Sequence, residues 1–460
     1  MRFQDRIFCG TSSDSGVTGT RILSRRRLLL VTGTLGVLSA CGESPSSTPS
    51  PAPSVQVQMN EFPIPQEASV STSEPMSTAQ VARATPVPAT AVTTIAKPKA
   101  RPGAVTPPAD VDDGLRRLDG YGFQVHMYNQ DRRAITKAAV SAGFDWVKQQ
   151  VEWRQTEPIE KGGFDWRELD KVVAAASGAG LKILLSVVQA PDWALGDRSH
   201  GPPGDPLDFK DFMTAIAGRY RGRVQAYELW NEANLSREWG YGRLNAGEFV
   251  ELLNAGHRGV KEADADAVTV GGALTPAGDV DIPEQKLQAI DDVRFLEEMY
   301  AYRDGLVRES FDAWGVHPGG FNNGPTQEIG TPRGAGWNGH GSFYFKRFTQ
   351  HRAVMEANGD ADKPIWLTEF GWSTKNADPG YGFGGDNSED DQATFLVDAF
   401  RVVRQDAPYI SHAFVWNLNF QSVVGPEDEK YPFGVLGPEG SPRPAYSALV
   451  TMPKGIRSDP

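Results

Sequence analysis

Cysteine is nearly missing from this chain: there are two in 460 residues, Cys9 and Cys41. A disulfide framework or a cysteine metal cluster is thereby excluded, and stability has to come from a packed core. Histidine is scarce as well, seven in all and never in a His-x-His pair, so ligands for a metal hydrolase are not supplied. No metal and no cofactor are expected. No Gly-x-Gly-x-x-Gly turn follows the first strand-like segment, which removes the dinucleotide fingerprint. Positive charge is short too, with 46 Lys and Arg against 58 Asp and Glu and a net charge of −12. Six Arg and two Asp fall within the first 40 residues, so the remainder is more acidic still. That balance argues against nucleic acid or an anionic membrane surface as the main partner. Neither coiled-coil heptads nor exposed edge strands call for a protein partner.

What is present divides into three parts. Ser24-Arg25-Arg26-Arg27 precedes an apolar run over residues 28–40, too short to span a bilayer and suited to the hydrophobic region of an export signal. The run ends in Leu38-Ser39-Ala40-Cys41-Gly42, which resembles a bacterial lipobox, cleaved before a cysteine whose thiol is then lipidated. The arginines also fit the twin-arginine route, a weaker signal than the lipobox. Residues 42–112 are rich in Pro, Ser, Thr and Ala, with Phe62 as the only aromatic residue. Such a segment buries too little apolar surface to offset its ordering entropy, and it is expected to be a disordered tether. A flexible coil of roughly 70 residues spans on the order of 45 Å. The sequence thus divides into an export signal (1–40), a lipidated cysteine with its tether (41–112), a catalytic domain (113–453) and a short tail (454–460). The protein is expected outside the cytoplasm, anchored through Cys41, or secreted if that cysteine is not lipidated.

Residues 113–453 alternate strand-like and helix-like segments. Strands are predicted at 120–126, 146–151, 181–188, 224–230, 268–274, 311–316, 365–368 and 412–416. Each is short, apolar and often β-branched or aromatic, as parallel strands buried on both faces are. Helix starts are signalled by Asp165-x-x-Glu168 and Asn245-x-x-Glu248, and Gly178 and Gly180 close the first of these helices. Eight strand–helix units in this length predict a (β/α)8 TIM barrel rather than an open doubly wound sheet.

In such a barrel the chemistry sits where strands end and loops begin. Glu232 in "YELWNEANL" ends the fourth strand and Glu369 in "PIWLTEFGW" the seventh. His317 ends the sixth, Trp416 the eighth and His126 the first, while the second runs through Lys148 and Glu152 into Trp153. Charges at buried strand ends cost stability unless they are paired or shift their pKa. Two carboxyls on one rim are what glycosidic cleavage uses: an acid for the leaving oxygen, and a nucleophile or base on the opposite face of the sugar. Their mutual proximity is expected to keep one of them protonated. Asn231 would offer its amide to a sugar hydroxyl, and Trp416 would form the floor of a sugar subsite.

"LWNEAN" followed by "WLTEFGW", with a histidine after strand six and a tryptophan after strand eight, resembles the clan of retaining glycoside hydrolases built on (β/α)8 barrels. The nearest pattern is that of glycoside hydrolase family 39 and its exopolysaccharide-cleaving relatives; "LLSVVQAPDWA" and "FGVLGPEGSPRPAYSAL" are similar too. The resemblance covers roughly residues 115–453. It implies Glu232 as acid/base, Glu369 as nucleophile, a covalent glycosyl-enzyme, Asn231 at the sugar 2-OH and His317 near the nucleophile. Ala233 stands where the family more often has Pro. Lys148 stands where an arginine is common beside the nucleophile, and a lysine cannot make that bidentate contact.

A retaining β-glycosidase, endo- or exo-acting, with a β-linked polysaccharide or oligosaccharide as substrate is therefore expected. Glu232 and Glu369 are catalytic in this reading; Asn231, His317, Trp416, His126, Lys148 and Trp153 bind substrate. The alternative on the same barrel is a non-catalytic cell-surface lipoprotein that binds carbohydrate. A solute-binding lipoprotein would need two lobes, and only one run of eight units is present. The Gly-rich stretch 378–392 is expected to be a solvated loop over the groove or a turn into the seventh helix, since its acidic spacing fits no calcium loop.

Overall fold

The computed structural model describes residues 113–456, apart from 242–243, 283–286, 332, 335–336 and 338. The export signal, Cys41 and the tether lie outside the described residues.

Eight parallel strands close into a barrel: β1 (Gly120–Val125), β2 (Trp146–Glu152), β3 (Lys182–Val188), β4 (Ala226–Leu229), β5 (Val268–Leu274), β8 (Ala313–Val316), β9 (Ile365–Phe370) and β10 (Ile410–Val415). β10 pairs with β1 through Gly120 to His412 and Phe123 to Val415, which completes the ring. All eight predicted strands are there, with no end differing by more than two residues.

Period-two alternation sorts their side chains. The outward set, including Phe123, Val147, Ile183, Tyr227 and Leu367, is buried beneath the surrounding helices. The inward set at the N-terminal end forms its own apolar layer of Trp146, Leu184, Ala226, Val270, Ala313, Trp366 and Phe414. Gly122 makes room for that layer, because a Cβ there would sit 2.1 Å from the ring of Phe414.

The helix Ala246–Ala263 starts as predicted, with the Asn245 side chain accepting from the Glu248 amide at 3.1 Å. Asp165 does not cap the helix Arg167–Gly178: Trp166 occupies that position, and Asp165 accepts from the Arg167 amide instead. Gly180 follows that helix at φ 79°, the left-handed position foreseen for it. Lys454, the first residue of the expected tail, is buried, and its carbonyl accepts from the Tyr121 hydroxyl at 2.9 Å.

A two-stranded antiparallel hairpin, β6 (Val280–Ile282) with β7 (Leu287–Ala289), stands beside the barrel mouth and packs on Leu235. It buttresses the loop after β4. The Asn234 side chain donates to the carbonyls of Thr275 (3.0 Å) and Ile290 (2.8 Å) and accepts from the Thr275 amide (2.8 Å). Asn234 is fully buried, so these bonds fix the loop one turn away from Glu232.

Candidate active site

Above the apolar layer the barrel interior changes character. Lys148 on β2 and Glu228 on β4 point inward, both essentially unexposed, with Nζ 2.7 Å from Glu228 Oε2. The same ammonium lies 2.9 Å from Glu369 Oε1 at the end of β9. Burial pushes the Lys148 pKa down, but the two carboxylates outweigh it and the net direction is up. Burial likewise pushes Glu228 up, and Lys148, His317 and the Thr368 hydroxyl bring it below its ordinary value. The ion pair is thus held charged.

Strict alternation would turn Glu369 outward, since Trp366 and Thr368 already face in. The β9–β10 register slips at this point: Ala413 pairs with Leu367 while Val415 pairs with Phe370. This irregularity lets consecutive residues Thr368 and Glu369 both address the interior, a common way to re-aim a functional side chain.

The end of β4 is strained instead. Trp230 has φ 73° and Glu232 φ 46°, left-handed values that a bulky side chain adopts only when its surroundings impose them. Trp230 is buried against Phe209 and Trp239, and the Glu232 amide donates to the Ala273 carbonyl at 2.7 Å. These contacts hold the turn and aim Glu232 at the barrel axis.

His317, 5% exposed after β8, joins the two glutamates: Nδ1 lies 3.0 Å from Glu232 Oε1 and 3.9 Å from Glu369 Oε2. Burial opposes its charge, yet Glu369 and Glu232 together raise its pKa above the ordinary value. Glu232 moves the other way. Burial raises it, but the His317 hydrogen bond and charge, with Arg237 and the Thr275 hydroxyl, bring it below the usual carboxylate value. The two shifts run in opposite directions, His317 upward and Glu232 downward, which favours the charged form of each partner.

A cavity of ≈ 810 Å³ opens over these groups. Asn231, Glu232, His317, Glu369, His126 and Trp416 all line it. The His126 amide donates to Asn419 Oδ1, and Asn419 Nδ2 returns a bond to the His126 carbonyl, both at 2.9 Å. Trp416, whose bond to Asn417 is cis, rests edge-on against Phe433 with ring centres 4.6 Å apart.

Two of the expected substrate contacts lie elsewhere. Lys148 is beneath the cavity, fully enclosed by its carboxylates, and does not reach the groove. Trp153 begins a short helix (Trp153–Thr156) that turns its indole outward, where it stacks on Phe212 at 5.1 Å and donates to Glu157 at 2.6 Å. The Gly-rich stretch is the second of the two expected forms, a turn into the seventh helix, with Asp386, Glu389 and Asp390 exposed. Residues Pro379–Asp386 form a 3-10 turn that brings Tyr381 and Phe383 to the cavity, and a Ser388–Asp391 capping box starts the helix Glu389–Asp406.

Several site residues are not evident from the sequence alone. Glu238 and Arg237 line the cavity, with Arg237 Nε donating to Glu238 at 3.3 Å and Nη1 at 3.5 Å from Glu429. Burial, together with the charges of Glu232 and Glu369, raises the Glu238 pKa against the pull of Arg237. Burial, with the charge of Glu429, raises the Tyr381 phenol pKa. The one available signal was a dense run of charge, Arg237-Glu238, directly behind a strand-end glutamate.

No family model matches the chain, and no curated protein does. Among solved structures, the chain is similar to a family 39 glycoside hydrolase from the gut symbiont Bacteroides cellulosilyticus WH2, with TM-score 0.54 and 20% identity over 75% of this chain. It covers 65% of that protein, just under two thirds of its length. A glucosidase from Croceicoccus marinus is similar at TM-score 0.53 and 13% identity, over 76% of this chain and 69% of the other. At these identities the likeness is one of fold: the chain builds the closed (β/α)8 barrel that these glycoside hydrolases also use.

Proposed function

We propose that the protein is a retaining glycoside hydrolase cleaving β-linked polysaccharide or oligosaccharide, with Glu232 as acid/base and Glu369 as nucleophile. The observation that carries this reading is one buried histidine in contact with two strand-end carboxylates at the floor of a groove. The two contacts leave the oxygens at most about 7 Å apart, which accommodates the ~5 Å carboxyl separation of direct displacement.

In the first step a Glu369 oxygen bonds to the anomeric carbon as the glycosidic C–O bond breaks, and the leaving oxygen takes a proton from Glu232. That proton comes from the His317–Glu232 pair, passing from imidazole to carboxyl when the bound sugar excludes water. In the second step Glu232 takes a proton from water, the water oxygen bonds to the anomeric carbon, and Glu369 leaves as carboxylate. Lys148, 2.9 Å from Glu369 Oε1, orients the carboxylate for attack and receives it again when the ester is cleaved. Asn231 donates to a ring hydroxyl, and Trp416 and His126 flank the sugar. Export, with a lipid anchor at Cys41 and a long tether, would place this groove outside the cytoplasm, where large glycans are met.

The test is sugar release by the full-length chain from β-glucans, xylans, mannans and bacterial exopolysaccharides, beside Glu369→Gln and Glu232→Gln. Release by the wild type and loss in both folded variants is expected, with the product first appearing as the β-anomer by proton NMR. A first-formed α-anomer would replace retention with inversion. Silence across the panel, with one glycan still bound by all three proteins, would make the chain a carbohydrate-binding lipoprotein.

A further inference from the structure

The nucleophile's lysine is shared. Lys148 Nζ sits between Glu228 Oε2 at 2.7 Å and Glu369 Oε1 at 2.9 Å, and Glu228 is sealed at 0% side-chain exposure. A buried charge that touches no substrate is costly, and an apolar residue would continue the layer formed by Ala226 one pleat below. Lys148 already has Glu369 as a counterion, so neutralising the lysine does not explain Glu228.

We propose that Glu228 is a positioning residue for the nucleophile: it fixes the Lys148 ammonium on the barrel axis and takes up half of its charge, leaving Glu369 free to attack. This rests on the hydrolase reading above. Two carboxylates compete for one ammonium. In a water-poor interior, an ammonium contacting one carboxylate holds it strongly and blunts its nucleophilicity. A second carboxylate at a slightly shorter distance divides that hold. Glu228 is held in place by its strand, where Ser186 and Val270 flank it in register, and by the Lys148 ammonium 2.7 Å away. The other charged groups facing Glu369 are His317 from the loop after β8 and, beyond it, Glu232 and Glu238 from the loop after β4.

Replacing Glu228 by Gln keeps the shape and returns the whole ammonium charge to Glu369. The acidic limb of kcat/KM should then move to lower pH, and kcat/KM should fall about tenfold through the glycosylation step. Lys148→Met should move the same limb to higher pH. A purely structural role for Glu228 would not produce opposite shifts.

The sharing itself is read without activity. Nitrogen-15 NMR titration of the Lys148 ammonium in the full-length chain, assigned by its loss in Lys148→Met, should give a lower pKa in both Glu228→Gln and Glu369→Gln. Glu228→Asp, which retains the buried charge but withdraws it by one methylene, should move Lys148 in the same direction by less and serves if the Gln variant does not fold. Lys148 unmoved in the Glu228 variants, or both kinetic limbs moving the same way, overturns the proposal. A folded wild type that cleaves no glycoside removes the hydrolase reading, while the Lys148 titration still decides the sharing.

Discussion

Two histidines in one barrel interior show how different its ends are. His412, at the N-terminal end, stacks on Trp366 with ring centres 3.7 Å apart, and burial, aided by Lys182, pushes its pKa down to about 3. His317, at the C-terminal end, is equally removed from water, yet two glutamates hold its pKa above the ordinary value. Burial opposes the charged form in both; only the partners differ. One end of the barrel excludes charge and supplies packing, while the other accumulates it and keeps each charge by pairing.

The comparison is broken most sharply by exchanging the ends' contributions. Glu369→Gln should lower kcat by about 10⁴-fold or more while leaving the melting temperature close to wild type, since Lys148 keeps Glu228 as its partner. Trp366→Ala, in the apolar layer, should cost about 3–5 kcal/mol of stability and leave the activity of the molecules that remain folded. Thermal melts and steady-state kinetics on the two variants would separate these outcomes.

Acid stability should separate the histidines next. His412 has a folded pKa of about 3 against ~6.5 unfolded, so below pH ~6.5 the unfolded chain binds a proton that the folded chain refuses. Stability from this group is therefore lost as pH falls from ~6.5 toward 3, by a few kcal/mol in total. His412→Phe should flatten that loss in urea melts. For His317 the sign reverses: with the folded pKa raised, its contribution is complete below ~6.5 and disappears as pH rises through the folded value. His317→Gln should remove a stability loss that sets in as pH rises above ~6.5.

The barrel's two ends were not equally legible in the sequence. The strands were readable because buried parallel strands carry dense β-branched and aromatic runs, and Glu232, Glu369 and His317 stood out as polar side chains closing such runs. Glu228 was hidden inside one of them, since nothing in "YELW" says that its glutamate faces a lysine from another strand. Trp153 was misplaced because a helix starts directly at the end of β2 and rotates the indole onto Phe212. Tyr381 and Phe383 were obscured by the glycines around them, which suggested an open loop. Asn234 could not be read at all: its three bonds reach residues 275 and 290, and such long-range clamps leave no local pattern.

Asn234 sharpens the comparison at a distance from the chemistry. Asn234→Ala leaves the Thr275 amide and two carbonyls without their partner, at a cost of about 1–3 kcal/mol in stability. It should also lower kcat more than it raises KM, because the loop that carries Glu232 loses its side-chain clamp to Thr275 and Ile290.

Trp416 should give the smallest effect and the most selective one. Its indole lines the cavity on one side and leans on Phe433 and Phe420 on the other, so its orientation is set before a sugar arrives. An aromatic face offered to a sugar ring is worth about 0.5–1.5 kcal/mol, which is roughly a two- to tenfold change in affinity. The contact is the same in the ground state and the transition state, because the stacked face of the sugar does not take part in bond breaking. Trp416→Ala should accordingly raise KM by that factor with kcat nearly unchanged, and Trp416→Phe should restore most of the loss. A fall in kcat as large as the rise in KM would show instead that Trp416 positions the sugar against Glu369, making it part of the charged end rather than a wall beside it.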